Sequence, residues 1–378
     1  MKTALVYDRV NKWGGAERVL LALNELFPDA PLYTAVYNPK TAPWAKKFPE
    51  VIPTFLNKVP YFRDKHELLG TLTPIAFETL DLSGFDLVLS VTSEAAKGVI
   101  VRPPTVHICY CLTPTRYLWS YHNFYFKNPP TMLGKIPFFY HVSKPFVWYA
   151  RYWDKIAAQR PDVYVAISTA VRKRIKKYYG RDSEVIYPPA DIKKFKVSNV
   201  SKLLKEDYFL YVSRLIPYKM ADLAIEAFNE LGFPLVIVGK GSEEIKFKSL
   251  AKGNIKFVSE LTDRQLASYY QKARAFIFPQ EEDFGIVAVE AQAAGTPVIA
   301  YKAGGALDTV IDPVKAKLTG QAATGVFFDN QDKDSLIGAV KRFNRLKFNS
   351  EELVKNAEKF SKEIFKNEII RLVQDVKE

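Results

Sequence analysis

Cysteine is nearly absent. Two residues in 378, Cys109 and Cys111, make neither a disulfide framework nor a zinc pattern. They lie two apart in one apolar run, so a strand there puts both on one face, and packing is their expected role. Such sparse cysteine suits a reducing compartment. No stretch of about 18 uncharged apolar residues occurs, so no helix should span a membrane. The opening MKTALVYDRV reads as a basic residue and a strand, not as a signal peptide. The expected location is therefore cytoplasmic. No D-x-D motif is present, Glu281-x-Asp283 being the nearest approach, and His and Cys are too sparse for a ligand cluster. Neither a metal site nor a bound cofactor is expected. NKWGGAERV near the start is not the dinucleotide fingerprint G-x-G-x-x-G, which disfavours a Rossmann dehydrogenase.

What is there suits a folded protein of two domains. The length exceeds one ordinary core, and 48% hydrophobic with 25% charged residues excludes disorder. A net charge of +13 fits phosphate-bearing small molecules, an anionic membrane or a solvated lysine-rich surface. It also fits nucleic acid, but no nucleic-acid motif accompanies it, so that partner is not expected.

Short apolar runs alternate with amphipathic stretches throughout. Strands are expected at 3–8, 86–91, 105–111 and 163–168, with helices from about Ala16 to Phe27 and, capped by Ser168, to about Tyr179. In the second half, runs at 208–213, 234–239, 254–259 and 274–279 precede helices over 220–231, 243–252, 263–272 and 284–294. PVIAY at 297–301 closes the series. This alternation predicts α/β domains with parallel sheets covered on both faces. The prolines of VIYPPADIKKFK at 185–196 mark the junction. The expected domains are 1–190 and 191–362, with a cleft between them and a final helix over about 363–378 packing back on the first. Ligands of such sheets bind beyond the carboxyl ends of the strands.

Several post-strand loops carry suitable chemistry. Glu282 precedes the helix that holds Glu290. An ionised carboxylate only accepts hydrogen bonds, so the pair suits sugar and ribose hydroxyls, though two surface glutamates flanking a buried helix would give the same spacing. Gly285 would let the backbone approach a phosphate at a helix N-terminus. Arg214 and Lys219 of SRLIPYK offer a fork and a point charge to a diphosphate. Gly239 and Gly241 follow another strand and would admit a nucleotide close to the backbone, or simply make a turn. Gly14 and Gly15 open the first helix.

Together, GGAER at 14–18, SRLIPYK at 213–219, GKG at 239–241, EEDFGIVAVEAQAAGTPVIA at 281–300 and AGGALDTV at 303–310 resemble the retaining glycosyltransferases of family four. These have the GT-B fold of two facing Rossmann-like domains. The resemblance spans most of the chain and is most specific in the second half. CYCLTPTRYLW at 109–119 and RYWDKIAAQRPDVYVAIS at 151–168 resemble a subgroup rich in mannosyltransferases of surface-polysaccharide assembly. The resemblance implies that Arg214 and Lys219 hold the donor diphosphate and stabilise its departing charge. It implies that Glu282 touches the donor sugar, with Asp283 beside it. Phe284, Gly285 and Ile286 would offer amides, Glu290 would hold the ribose, and Glu260 and Leu261 would flank the base. Gly14 and Gly15 would approach donor phosphates or acceptor. It further implies a metal-independent, front-face transfer of a hexosyl unit, GDP-mannose first and UDP-hexoses second, to a glycan or lipid-linked acceptor.

Two positions depart from the pattern. Leu112 stands where the subgroup commonly has His, which leaves His107, Thr113 or Arg116 to serve the sugar, or the work undone. Asp308 stands where Glu is usual. A non-catalytic subunit that kept the fold is the reading of another class. Finally, aromatics crowd the stretch from Trp119 to Trp153, interleaved with Lys127, Lys135, Lys144 and Arg151 and followed by the basic run Arg172–Lys177. The stretch reads either as an interfacial helix on an anionic membrane, making the chain peripheral there, or as a buried insertion.

Overall fold

The computed structural model describes residues 1–59, 61, 63, 72–120, 122–127, 141, 143–196 and 205–376. Tyr121, Lys135, Phe138, Phe139 and Tyr140 of the aromatic stretch, and 197–204 of the polar linker, lie outside these. The chain divides into two compact units, Met1–Tyr187 with Lys366–Glu378, and Pro188–Phe365.

The first unit is built on seven strands: β1 (Thr3–Tyr7), β2 (Leu32–Thr34), β3 (Val51–Pro53), β4 (Leu87–Thr92), β5 (Val106–Cys111), β6 (Val163–Ala166) and β7 (Glu184–Val185). Their order is β3-β2-β1-β4-β5-β6-β7 and every pairing is parallel. Every residue of β1 and β4 is buried, as continuous apolar runs require when both faces are covered. The second unit has β8 (Phe209–Val212), β9 (Leu235–Val238), β10 (Ile255–Val258), β11 (Phe276–Phe278), β12 (Val298–Tyr301) and β13 (Gly325–Phe328), in the parallel order β10-β9-β8-β11-β12-β13.

The series does not close at Tyr301. β13 adds an edge strand beyond β12, pairing Val298 with Gly325. GVFF is short, opens on glycine and follows two small helices, so its run is hard to distinguish from a loop. The helices used below are α1 (Gly15–Leu26), α2 (Lys144–Ala157), α3 (Thr169–Tyr179), α4 (Ala221–Leu231), α5 (Asp263–Lys272), α6 (Ile286–Ala293) and α7 (Lys362–Asp375). From Lys366 onward α7 belongs to the first unit, where Lys366 pairs with Glu25 and Arg371 with Glu184.

Each sheet reverses direction of strand addition once. In the first unit the reversal lies between β1 and β4, in the second between β8 and β11. In sheets of this kind the carboxyl-end loops on either side of such a reversal are where ligands bind.

Candidate functional site

The loop after β8 carries Arg214 and Lys219, and the loop after β11 carries Glu282, Asp283 and Phe284. The reversal of strand order therefore brings together residues more than sixty positions apart. Lys219 Nζ donates to Glu282 Oε1, with both side chains about one-quarter exposed or less. Tyr211 anchors this lysine by donating its hydroxyl to the Lys219 carbonyl at 2.9 Å. Tyr218 stands between the two cations. Its hydroxyl accepts from Arg214 at 2.8 Å, and Lys219 Nζ lies 5.3 Å from its ring centroid. No sequence signal singled out Tyr218, because an exposed tyrosine between two basic residues is ordinary until their heads converge.

Glu290 is 3% exposed, in the second turn of α6, which excludes the surface-glutamate reading for it. Gly285 caps α6 with φ +84, a conformation that side chains resist, and a Cβ there would lie 2.6 Å from the Phe278 ring. Phe284 is buried edge-on against Phe360 at 5.5 Å, which pins the loop. The second glycine pair has a packing reason. A Cβ at Gly304 would overlap the Glu282 carbonyl, and one at Gly305 would overlap the Phe284 backbone. Gly305 N–H donates to Glu282 O at 2.8 Å, so AGG at 303–305 is the floor on which the Glu282 loop rests.

Gly239 and Gly241 have the same kind of reason. Side chains there would overlap the Ser213 and Leu215 backbones, and Leu215 N–H donates to Lys240 O at 2.8 Å. The pair lets the loops after β8 and β9 lie against each other. Glu260 adopts φ +59 and accepts from Lys240 at 2.5 Å, and Leu261 next to it is half-buried. Asp308 is half-buried near the start of the helix that follows Gly305.

In the first unit the strand reversal is tied shut by a residue the sequence did not flag. Asp8, at the end of β1, accepts from Thr92 Oγ1 at 2.8 Å and from the amides of Ser93, Glu94 and Ala96 at 2.7, 3.0 and 2.9 Å. Burial, and then Glu94, push its carboxyl pKa up. Arg9 and Glu94 pair at 2.5 Å beside it. Gly14 caps α1 in extended backbone, and Tyr7 donates to buried Glu17 at 2.9 Å in the first turn.

His107 is corrected as a site candidate. It is fully buried at the amino end of β5, away from the carboxyl ends, with Nε2 2.8 Å from Ser90 Oγ. Burial, with Arg160 nearby, lowers its pKa to about 3, so the ring is neutral. Thr113 is buried and accepts from Arg174 at 3.4 Å, and Arg116 is half-buried. Leu112 is the first residue beyond β5 and half-buried, so an apolar group does stand at that carboxyl end.

The subgroup-like stretches form one buried cluster. Asp154 accepts from Lys97 at 2.6 Å, Thr115 at 3.1 Å and Trp119 at 2.7 Å. Burial works against the Lys97 charge, but Asp154 offsets it and the lysine pKa ends above its ordinary value. Both partners are almost fully buried. Among the described residues no group of three or more His, Cys, Asp or Glu is placed to hold a metal ion.

Two parallel six- and seven-stranded Rossmann-like units define the GT-B fold. Solved structures agree over the whole chain. Sucrose-phosphate synthase from Thermosynechococcus elongatus superposes with a TM-score of 0.71 at 17% identity, covering 100% of this chain and 99% of that one. Anabaena HepE in complex with UDP gives 0.68 at 18%, covering 99% and 100%. Residues 13–194 match Glycosyltransferase Family 4 and residues 193–360 match Glycosyl transferases group 1. By these two matches the chain belongs to the GT-B glycosyltransferases of family four. It is 29% identical over 175 residues to the O-antigen chain mannosyltransferase of Salmonella typhimurium, covering 43% of this chain and 48% of that protein. It is 30% identical over 203 residues to a GDP-mannose-dependent monoacylated phosphatidylinositol monomannoside mannosyltransferase of Corynebacterium glutamicum, covering 46% and 51%. The chain spans about half the length of the curated relatives it matches.

Proposed function

We propose that the chain is a retaining, metal-independent hexosyltransferase, with GDP-mannose its first-choice donor and a glycan or lipid-linked molecule its acceptor. The observation that carries this is the convergence of Lys219, Arg214 and Glu282 at the strand reversal of the second unit. Two cations and a carboxylate there match a sugar diphosphate: charge for the leaving group, an acceptor for the sugar hydroxyls. In apo protein Lys219 and Glu282 satisfy each other; a bound diphosphate would draw the ammonium away and leave Glu282 to the sugar. The bond from the anomeric carbon to the diphosphate oxygen breaks, the acceptor oxygen bonds to that carbon on the same face, and the acceptor proton passes to the departing phosphate. The named activities of the two mannosyltransferases support mannose. The UDP held by HepE supports UDP-hexoses as the second donor class.

Leu112 favours one rival, a GT-B subunit without activity, since leucine makes no hydrogen bond to a sugar. Release of nucleoside diphosphate from GDP-mannose or UDP-glucose, with and without EDTA, separates the readings. The expected result is EDTA-insensitive turnover that falls by about a hundredfold or more in E282Q and K219M, with unfolding temperatures held. Turnover unchanged in E282Q would remove the site assignment, and turnover restored only by Mg2+ would remove the metal-independent one.

A further inference from the structure

The aromatic helix α2 has two faces with opposite demands. Val147, Trp153, Asp154 and Ala157 point inward and are buried. The other face leaves Trp148 71%, Tyr152 58%, Tyr149 45% and Ile156 43% exposed, and Phe146 near the helix start 59%. Residues 148, 149, 152 and 156 fall in one stripe at helical spacing. Trp148 and Tyr152 stack on each other, ring centroids 6.0 Å apart and 7° from parallel, so part of the apolar surface is already organised as a slab. From behind, Asp154 ties the helix to Lys97 in the segment after β4 and to Trp119 in the segment after β5, so this face is presented by a fixed element.

Charge identifies what the slab meets. Arg151 and Lys155 border the stripe, their cationic heads 5.5 and 5.6 Å from the Trp119 ring centroid. The same indole stacks on Tyr178 of α3 at 5.2 Å, and Lys177 lies over that tyrosine. The apolar stripe, two cations, one indole and helix α3 are therefore consecutive on one surface. α3 contains five basic residues, Arg172, Lys173, Arg174, Lys176 and Lys177, and no acidic one. Lys176 is paired with Asp182 at 2.8 Å, while Arg172, Lys173 and Lys177 are exposed. Indole and phenol rings beside a one-sign basic helix suit the headgroup layer of an anionic bilayer, where rings sit at the water boundary and lysines meet phosphate.

We infer that this surface docks the chain on an anionic phospholipid membrane, with α2 lying in the interface plane and α3 beside it. The inference stands apart from the sugar-transfer reading, since it rests on residues assigned no part in the donor site. Sedimentation of the full chain with vesicles tests it. Phosphatidylcholine vesicles containing phosphatidylglycerol should bind the protein, phosphatidylcholine alone should bind it far less, and raised salt should weaken the binding. W148S/Y152S and K173E/K177E should each lose about tenfold or more in anionic-vesicle affinity while keeping the wild-type unfolding temperature, as exposed side chains allow. Brominated lipid should quench wild-type fluorescence and quench W148F much less. The inference is overturned by no binding to anionic vesicles, by W148S/Y152S binding as wild type, or by a dimer in ultracentrifugation that W148S/Y152S dissociates.

Discussion

Tyr218 shows what a single residue contributes when two loops meet. Its hydroxyl receives Arg214 and its ring receives Lys219, so one side chain holds both cations near the carboxylate of Glu282. Arg214, Lys219 and Glu282 were legible as motif residues; Tyr218 was not, because its role lies in where the cations end up. His107 is the opposite case. A histidine within a strand reads equally as packing or chemistry, and only its place at the amino end of β5 decides for packing. The pKa of about 3 has a measurable consequence. The folded ring stays neutral below the ordinary histidine value near 6.5 while the unfolded ring takes a proton. Its stability contribution is therefore complete above about pH 6.5 and falls toward pH 3, by about 1.4 kcal/mol per pH unit. Between pH 7 and 4.5 wild type should lose about 2–3 kcal/mol through this group. H107Q, which can keep a bond to Ser90, should show a correspondingly shallower acid slope in denaturant titrations; parallel slopes would refute the assignment.

Among elements, strands inside a longer apolar run were legible, three-residue β11 within RAFIFP included, and strands without such a run were not. β1, β4, β5, β6 and β8 to β12 announce themselves as apolar runs because parallel strands are covered on both faces. β2, β3 and β7 have two or three residues each, too few for a period, and β13 opens on glycine. The stretches 109–119 and 151–168 were legible as motifs but not as a contact. Their meeting point is Asp154, which binds Thr115 and Trp119 across 39 and 35 positions and pairs with buried Lys97. Removing one partner of a buried ion pair strands the other charge at a cost of about 3–5 kcal/mol. K97M and D154N should each destabilise the first unit by that order, and K97M/D154N by much less than their sum, in a denaturation cycle. Additive losses would show that the pair does not act as one.

At the scale of the molecule, both sheets place their polar clusters at a reversal of strand order. In the first unit Asp8 binds the β4 loop there, and in the second Lys219 meets Glu282. The α/β class followed from alternation alone. Which strands are neighbours did not, because order is set by right-handed crossovers that leave no mark on any one segment. The loops that carry Arg214, Lys219 and Glu282 thus stand out by their residues alone, whereas the adjacency of β8 and β11 that brings Lys219 to Glu282 does not. The +13 charge of the chain leaves open which anion each region meets, and the second-unit site should account for nucleoside diphosphate binding by itself. Calorimetric titration of the full chain with GDP and with UDP tests this most directly. The account predicts one bound nucleoside diphosphate per chain, GDP the tighter of the two, with affinity reduced about tenfold or more in K219M. It is contradicted if neither nucleotide binds, or if K219M binds as tightly as wild type.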